Sequence, residues 1–216
     1  MNDLAIVIPC RNEKNTIKSI LKKLRKNNIF LINDASTDGI IKTVKSFKNI
    51  KIINNSTKQG YEKTILKGFS YIKKSNSQKI KYILTMDADG DHDPKYVKKI
   101  YNKIKKYKLD LVIGNRSKKN RKSEETISDL FKNKFDFEDP YSGFKIYEKK
   151  KLFANYIFCK NKYFLADLCL IYKKNGYKIS NINIITKKNK FRKPRVNLNK
   201  IDKRILSIKK LSNNFT

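Results

Sequence analysis

The sequence predicts an α/β protein whose sheet is mostly parallel, with helices on both faces and a small C-terminal extension of helix and strand. Short apolar runs alternate with helical patterns over residues 4–114, and this alternation is typical of parallel strands joined by crossover helices. Loops rich in Asp, Asn and Gly follow the apolar runs, at the strand ends where open α/β sheets bind ligands. The alternating pattern and these polar loops together favour a ligand site at one edge of the sheet.

The elements of the first half follow from their apolar spacing. The first helix carries apolar residues at i, i+3, i+4 and i+7, and the turn DASTDG leads into a second helix that Ser36 or Thr37 is expected to cap. A third helix covers about 60–74, and Pro94 starts the fourth. The predicted strands are 4–8, 29–33, 51–55, 81–86 and 109–114.

The second half is less regular. Residues 117–135 are polar and charged, which predicts a mobile segment or a weak surface helix. A strand, a helix and a strand are expected after it, at 143–147, near 162–175 and near 178–186. We therefore divide the chain into a domain over 1–186 and a basic extension over 187–216, which ends in an amphipathic helix.

The composition limits the partners and the compartment. Lys and Arg number 52 against 19 Asp and Glu, a net charge of +33, which could attract nucleic acid or an anionic membrane surface. The lysines are spread along the whole chain with many Asn and Ile, so a general compositional drift explains them at least as well, and we expect no nucleic-acid partner. Three cysteines and no apparent signal peptide or membrane-spanning run predict a cytoplasmic protein without disulfides.

Four aspartates in the stretch ILTMDADGDHDP, residues 83–94, stand out in so basic a chain. Asp87, Asp89 and Asp91 follow the fourth predicted strand, and alternate residues of an extended segment point the same way. Carboxylates this close repel one another unless a cation lies between them, and hard oxygen ligands suit Mg²⁺ or Mn²⁺. We therefore predict a divalent metal at Asp87, Asp89 and Asp91, able to bind a diphosphate.

Other interpretations of the acidic stretch are weaker. It could be an acidic turn before the next helix, and Asp93 fits that role. An EF-hand fits poorly, because His92 stands where its loop needs Gly and Lys98 where it needs Glu. His92, the one histidine of the chain, is expected to be a surface group or a support for the site rather than a catalytic base.

Three further loops belong to the same edge of the predicted sheet. Pro9, Arg11 and Glu13 follow the first strand, Asp34 follows the second, and Gly60 follows the third. A carboxylate such as Asp34 can accept a hydrogen bond from the ring N–H of uracil or guanine. The alternative for Asp34 is an Asx-turn or a helix cap.

The chain carries, in this order, P-x-R-N-E, N-D-A-S-T-D-G, Q-G-Y, M-D-A-D-G-D-H-D-P, G-N-R and D-P-Y-S-G-F-K. This order of motifs resembles the family-two inverting glycosyltransferases of GT-A fold. Within that family the chain is most similar to the polyprenyl-phosphate glycosyltransferases, the group that includes dolichyl-phosphate mannose synthase. The match covers residues 4–116 and resumes at 139–147.

The resemblance implies a role for each matched residue. The nucleoside pocket would be lined by Pro9, Arg11, Glu13 and Asp34. Nucleotide-sugar and metal would be held by Asp87, Ala88 and Asp89, with Asp91 completing the metal shell. Arg116 matches an Arg that contacts the acceptor phosphate, and Arg192 matches a later Arg that reaches the donor diphosphate or the acceptor phosphate.

The chain also departs from the family pattern. Arg11 stands where relatives often have Tyr, Asp91 where they often have Gln, and Glu62 where they often have Gly. The stretch between Arg116 and Asp139 is shorter than in the mannose synthases and lacks their second acceptor-binding Arg, for which Arg121 is a candidate substitute.

The function predicted from residues and resemblance together is transfer of a sugar from a UDP- or GDP-sugar to a polyprenyl phosphate, with peripheral contact to an anionic membrane surface. The alternative acceptor is a glycan hydroxyl in cell-surface polysaccharide synthesis. A hydroxyl needs a base, for which Asp139 is the candidate, its alternative role being a turn cap before Pro140. A nucleic-acid-binding module leaves the acidic cluster unexplained, and a nucleotidyltransferase would usually show a Gly-rich loop near the N-terminus.

Overall fold

The computed structural model describes residues 1–119, 122–159 and 164–186, which fold into one sheet with helices on both sides. The strands are β1 Leu4–Cys10, β2 Asn28–Asn33, β3 Ile50–Asn54, β4 Tyr82–Thr85, β5 Leu111–Arg116, β6 Lys145–Glu148 and β7 Ile179–Ile184. The helices are α1 Lys14–Lys23, α2 Ile40–Val44, α3 Tyr61–Lys74, α4 Tyr96–Lys106, α5 Lys122–Phe135, α6 Lys149–Asn155 and α7 Phe164–Lys174, with a 3-10 turn at Tyr156–Phe158 after α6.

The strand order is β3-β2-β1-β4-β6-β5-β7. The pairs β1–β2, β2–β3, β1–β4 and β5–β7 are parallel, and β6 runs antiparallel between β4 and β5. The chain adds β2 and β3 on one side of β1 and then places β4 on the other side. The ends of β1 and β4 therefore form a switch point in strand order, which is where sheets of this class bind ligands.

Strand β1 is buried on both faces of the sheet, and this explains its sequence. All seven of its residues are buried, as expected of a central parallel strand covered by helices on either side. Ala5 and Val7 contact the core on the side of α3, α5 and α7, whereas Leu4, Ile6 and Ile8 contact the core on the side of α1, α2 and α4. The continuous apolar run LAIVI is therefore required by burial on both faces.

Helix α5 corrects the prediction for residues 117–135. Its residues Ile127, Phe131 and Phe135 lie four apart, so they share one face of the helix, and all three are buried in the core. Phe131 also makes an edge contact with Phe137 at 5.3 Å between ring centroids. The helix is thus part of the core rather than a weak surface element; Glu124 is also buried, whereas Lys122, Glu125, Asp129, Lys132 and Lys134 are exposed.

The start of α2 corrects a second prediction. Neither Ser36 nor Thr37 caps this helix, which follows Gly39 at a positive φ of 78°. Asp38 accepts the hydrogen bond from the backbone N–H of Ile40 instead. Helix α6 was not predicted, and the extension 187–216 lies outside the described residues. Within the described ranges, no helix has the length and apolar content needed to cross a bilayer.

Candidate active site

A cleft of about 390 Å³ opens at the switch point between β1 and β4. Four loops contribute to it, each from the carboxyl end of one of the parallel strands β1 to β4 or from the helix that follows. The residues that line it are Pro9, Cys10, Arg11, Glu13, Asp34, Lys58, Gly60, Tyr61, Thr64, Asp87, Ala88 and Asp89. Cationic and anionic side chains therefore line one space of the size of a small-molecule site.

Arg11 ties the loops after β1 and β2 together. Its Nη1 donates to the backbone oxygens of Asp34 at 2.6 Å and Ala35 at 3.1 Å. Asn12, beside it, has a positive φ of 55° and accepts from the backbone N–H of Thr37 through its side chain. Asn tolerates this left-handed backbone better than most residues do. The two loops thus form one wall of the cleft.

Asp34 is buried at the bottom of that wall and is held by three donors. Its Oδ1 accepts from Asn55 Nδ2 at 2.8 Å and from the backbone N–H of Gln59 at 2.7 Å, and its Oδ2 accepts from the backbone N–H of Gly60 at 3.0 Å. Burial works against ionisation, but these hydrogen bonds outweigh it and lower the pKa of Asp34 below its ordinary value. Asp34 is therefore a carboxylate at neutral pH.

Asp87 is held between two aromatic side chains. Tyr61 donates its hydroxyl to Oδ1 of Asp87 at 2.6 Å. On the other side, Nδ1 of His92 accepts from the backbone N–H of Asp87 at 3.2 Å. Burial, assisted by the charge of Arg116, lowers the pKa of His92 even though Asp87 opposes this effect, so the imidazole is neutral. His92 is thus a buried support for the loop. The sequence predicted this role as one of two alternatives, the other being a surface group.

Glycine is required at position 143 because the backbone there touches the same carboxylate. A Cβ at this position would lie 2.5 Å from both Asp87 Oδ1 and Tyr61 Oη. The Thr85 hydroxyl donates to the oxygen of Gly143 at 2.8 Å, which fixes the approach. The S-G-F segment before β6 therefore forms the back of the Asp87 pocket.

Asp89 and Asp91 lie in the turn beyond Asp87. Asp89 is buried and lines the cleft, and its Oδ1 accepts from the backbone N–H of Asp91 at 3.1 Å. Thr16 holds the same turn by donating its hydroxyl to the oxygen of Ala88 at 2.7 Å. Asp91 is not among the residues that line the cleft. Residues 1–119, 122–159 and 164–186 contain no group of three carboxylate, imidazole or thiol side chains arranged as a metal cage.

Two carboxylates in a cleft nonetheless fit a hard divalent ion that is shared with a ligand. Mg²⁺ in particular is usually bound by one or two carboxylates together with substrate phosphates and water. Asp87 and Asp89 supply such a pair. The predicted metal role of Asp91 stays a prediction.

Arg116 and Asp139 form a buried ion pair behind the cleft. Nε and Nη2 of Arg116 each donate to Asp139 at 2.8 Å, and Nη2 also donates to Glu124 at 3.0 Å. Burial opposes the charge of Arg116, but the bond to Asp139 and the two carboxylate charges raise its pKa. The same pairing lowers the pKa of Asp139 despite its burial. Nη1 of Arg116 has no hydrogen-bond partner among the described residues.

Lys145 supports the loop that carries Asp139. It is fully buried, and its Nζ donates to the backbone oxygens of Pro140 at 2.8 Å and Ser142 at 2.5 Å. Burial lowers the pKa of Lys145. A buried lysine bound to two carbonyls fixes the segment 139–143, which in turn contacts Asp87 through Gly143.

The structure brings most of the predicted site residues together. Seven of them line one cleft: Pro9, Arg11, Glu13, Asp34, Asp87, Ala88 and Asp89. Arg116 and Asp139 contact each other rather than the cleft lining, and Arg192 and Arg121 lie outside the described residues. The sequence predicted no role for Tyr61, Lys58 or Lys145. Two signals in the sequence could have indicated such roles. One is the position of Tyr61 in the Q-G-Y motif, and the other is the single lysine, Lys145, within the apolar strand pattern GFKIY.

Comparison with protein families identifies the class of protein that this fold and cleft define. The model of glycosyl transferase family 2 matches residues 5–193. The chain therefore belongs to glycosyl transferase family 2, and the predicted enzyme class is confirmed.

Two proteins are similar to this chain in sequence over part of their length. An uncharacterized protein of Methanocaldococcus jannaschii is 30% identical over 160 residues, which cover 65% of this chain and 69% of the relative. The dolichol-phosphate mannosyltransferase of Saccharomyces cerevisiae is 26% identical over 115 residues, covering 47% of this chain and 41% of the enzyme. The chain thus spans less than half of the length of the yeast relative.

Solved structures share the fold. Glucosyl-3-phosphoglycerate synthase from Mycobacterium tuberculosis, in complex with Mn²⁺ and UDP-glucose, has a TM-score of 0.72 at 14% identity, covering 94% of this chain and 76% of that one. The same protein with Mn²⁺, UDP-glucose and phosphoglyceric acid has a TM-score of 0.70 at 14% identity, covering 88% and 72%. The predicted α/β fold, a mostly parallel sheet of GT-A type, is therefore confirmed.

Proposed function

We propose that this chain is a metal-dependent inverting glycosyltransferase that moves a sugar from a UDP- or GDP-sugar to a polyprenyl phosphate. The observation that carries the proposal is the cleft at the β1–β4 switch point. It combines the predicted nucleoside residues Arg11 and Asp34 with the carboxylates Asp87 and Asp89. A nucleotide-sugar needs both kinds of group, since its base offers hydrogen bonds and its diphosphate needs a cation.

Asp87 and Asp89 would hold Mg²⁺ or Mn²⁺ at the diphosphate. When bound, the ion supplies Lewis-acid stabilisation of the charge that develops on the leaving diphosphate. This assignment is supported by the solved relatives, whose structures contain Mn²⁺ with UDP-glucose. Lys58 and Arg11 lie in the same cleft and would add positive charge on the nucleotide side.

The reaction would be a single displacement at the anomeric carbon. The acceptor oxygen forms its bond to that carbon as the bond to the diphosphate oxygen breaks on the opposite face, which inverts the configuration. Arg116 would contact the acceptor phosphate through Nη1, while Asp139 and Glu124 hold Nε and Nη2. In this proposal Asp139 is a positioning residue for Arg116.

The state of Asp139 favours a phosphate acceptor over a hydroxyl. A general base works best when its pKa is near the working pH and when it reaches the acceptor proton. Asp139 is 1% exposed and bound to Arg116, and its pKa is lowered. A phosphate is already ionised near neutral pH and needs only positioning. The similarity to the yeast dolichol-phosphate mannosyltransferase supports the same acceptor class.

The remaining predicted parts belong to the extension outside the described residues. Arg192 would reach the donor diphosphate or the acceptor phosphate, and the basic helix over 198–216 would lie on an anionic membrane surface, where each basic residue contributes about 1 kcal/mol. Flotation with anionic liposomes tests this part. Equal recovery of the full chain and of a chain ending at residue 197 would remove the membrane role.

The experiment that tests the function is an assay of UDP- and GDP-sugars with Mn²⁺ against two acceptors, a short polyprenyl phosphate and an oligosaccharide. Mass spectrometry identifies the product and NMR its anomeric configuration. We expect transfer to the polyprenyl phosphate with inversion, and no transfer in Asp87→Asn. Transfer to the oligosaccharide alone would show that the acceptor is a glycan hydroxyl and not a polyprenyl phosphate. A folded protein that transfers no sugar to either acceptor would contradict the proposal.

A further inference from the structure

The segment 139–143 contacts both halves of the proposed active site. At its first residue, Asp139 binds Arg116, whose Nε and Nη2 each donate to the carboxylate at 2.8 Å. At its last residue, the backbone of Gly143 approaches Asp87 so closely that a Cβ there would lie 2.5 Å from Oδ1. Arg116 is assigned to the acceptor phosphate and Asp87 to the metal. The position of this one segment therefore affects the groups proposed for both substrates.

The backbone of the segment needs contacts from outside to keep its shape. Asp139 has a positive φ of 54°, a left-handed conformation that is unfavourable for most residues other than glycine. The backbone N–H of Ser142 donates to the oxygen of Asp139 at 3.0 Å, which closes a turn. Pro140 and Ser142 are buried in this turn, and buried carbonyl groups destabilise a fold unless they accept hydrogen bonds. Their oxygens therefore need donors.

Lys145 supplies those donors from a fixed place in the sheet. Its Nζ donates to the oxygen of Pro140 at 2.8 Å and to that of Ser142 at 2.5 Å. The backbone of Lys145 is held between two strands, because β6 pairs there with Thr85 of β4 and with Ile113 of β5. The lysine thus ties the segment to the two strands that lead into the active site.

Packing of the core does not explain a lysine at this position. Lys145 is 0% exposed, and its chain neighbours Phe144 and Ile146 are apolar and buried. Burying an amine costs free energy unless the amine is hydrogen-bonded, so an apolar side chain would serve the core better. The two bonds to the segment are what this lysine adds.

We infer that Lys145 is a positioning residue for both substrates. Through Gly143 it holds the carboxylate of Asp87, and through Asp139 it holds the guanidinium of Arg116. The inference rests on the proposed function, because it takes Asp87 as a metal ligand and Arg116 as the contact of the acceptor phosphate.

Lys145→Met tests this role, because methionine fills much of the same volume and donates no hydrogen bond. Calorimetry measures two affinities of the folded full chain: that for UDP or GDP with Mn²⁺, whichever the wild type binds, and that for a short polyprenyl phosphate without metal. We expect the first to fall about 10- to 100-fold, as when other groups that orient a metal ligand are removed. We expect the second to fall about tenfold.

Lys149→Met is the matched control. Lys149 also donates to a backbone oxygen, that of Ser77 at 3.0 Å. It follows the end of β6 that pairs with Tyr82 at the start of β4, so it lies at the edge of the sheet opposite the cleft. We expect Lys149→Met to lose stability in chemical denaturation while both affinities stay at the wild-type values.

The outcomes separate positioning from a purely structural role. A Lys145→Met protein that is less stable but keeps both affinities would overturn the inference, and a fall in one affinity alone would overturn the double role. Should the variant fail to fold, Lys145→Gln, which keeps an amide donor, is measured instead, with losses in both affinities again expected. Failure of both variants to fold would show a role in folding alone and would overturn the inference too. A folded wild type that binds neither ligand would instead contradict the proposed function.

Discussion

The hydroxyl of Tyr61 donates a 2.6 Å hydrogen bond to Oδ1 of Asp87, joining the first residue of α3 to the loop after β4. Burial and the nearby charge of Asp87 raise the pKa of Tyr61 well above its ordinary value, so the hydroxyl keeps its proton and remains a donor. Tyr61 therefore fixes the orientation of a carboxylate that we assign to the metal.

Removing this hydroxyl should weaken metal binding more than folding. We expect Tyr61→Phe to lower the affinity for Mn²⁺ in the presence of UDP by about 10- to 100-fold, the usual effect of losing a group that orients a metal ligand. The melting temperature should change little. Titration of the nucleotide complex with Mn²⁺ measures the effect. Tyr71→Phe, on the same helix but packed on Phe30, is the control, and equal affinities in the two variants would refute the role.

Gly143→Ala should displace the carboxylate of Asp87 or the hydroxyl of Tyr61 that binds it. The added Cβ would lie 2.5 Å from Asp87 Oδ1 and from Tyr61 Oη, so one of them must move. We expect a loss of about 1–3 kcal/mol in the free energy of unfolding, as for other overpacked sites, together with reduced Mn²⁺ affinity. Chemical denaturation and metal titration measure the two effects.

Gly68→Ala provides the comparison for this variant. Its Cβ would lie 2.7 Å from Val7 Cγ1 in the core, away from the cleft lining. We expect a similar loss of stability with unchanged Mn²⁺ affinity of the folded fraction. If both glycine variants lost metal affinity alike, the effect of Gly143→Ala would be general destabilisation.

The ion pair of Arg116 and Asp139 predicts a particular dependence of stability on pH. The pKa of Asp139 is lowered in the folded state from its ordinary 3.8, so its contribution is complete above that value and is lost as pH falls through the folded pKa. We expect Asp139→Asn to cost about 3–5 kcal/mol at neutral pH, because Arg116 would keep its charge in a buried place. This difference from wild type should shrink over the range of pH that runs down from the ordinary pKa of 3.8 through the folded pKa of Asp139.

Denaturant titrations of both proteins across this pH range measure the difference. Asp136→Asn is a suitable control, since Asp136 is exposed next to the same segment. A difference between wild type and Asp139→Asn that stayed constant with pH would mean that the carboxylate charge is not what stabilises this region.

Replacing the four aspartates of residues 87–93 one at a time should affect Mn²⁺-dependent UDP binding to different degrees. Asp87→Asn and Asp89→Asn remove carboxylates that line the cleft, so each should reduce Mn²⁺-dependent UDP binding by more than about 100-fold, beyond the effect of an orienting group. Asp93→Asn should not, because Asp93 accepts from the backbone N–H of Lys95 at the start of the next helix. Asp91→Asn tests the third predicted ligand, and binding unchanged from wild type would exclude it from the metal shell.

The sequence predicted the strands and the cleft residues for one physical reason. Buried parallel strands need long apolar runs, and their carboxyl ends meet at one edge, so Pro9, Asp34 and Asp87 were expected to lie together. The supporting contacts could not be predicted, because they join distant parts of the chain. Thr85 contacts the oxygen of Gly143 across 58 positions, and the antiparallel insertion of β6 that makes this contact has no counterpart in the alternation of strand and helix.

The core-facing side of helix α5 was missed for a related reason. A charged composition hid the apolar stripe of Ile127, Phe131 and Phe135, which is only visible when residues four apart are compared. The role of Asp139 as a base for a hydroxyl acceptor stays a prediction. Its burial against Arg116 could not be predicted, because it depends on how the segment 139–143 folds back on β5.

The most direct test of the account is anomalous diffraction at the manganese edge from crystals grown with Mn²⁺ and UDP. We expect a single strong peak between the UDP diphosphate and the carboxylates of Asp87 and Asp89, at about 2.0–2.2 Å from their oxygens as for other small divalent ions. UDP bound elsewhere, or bound in the cleft with no peak beside those carboxylates, would contradict it.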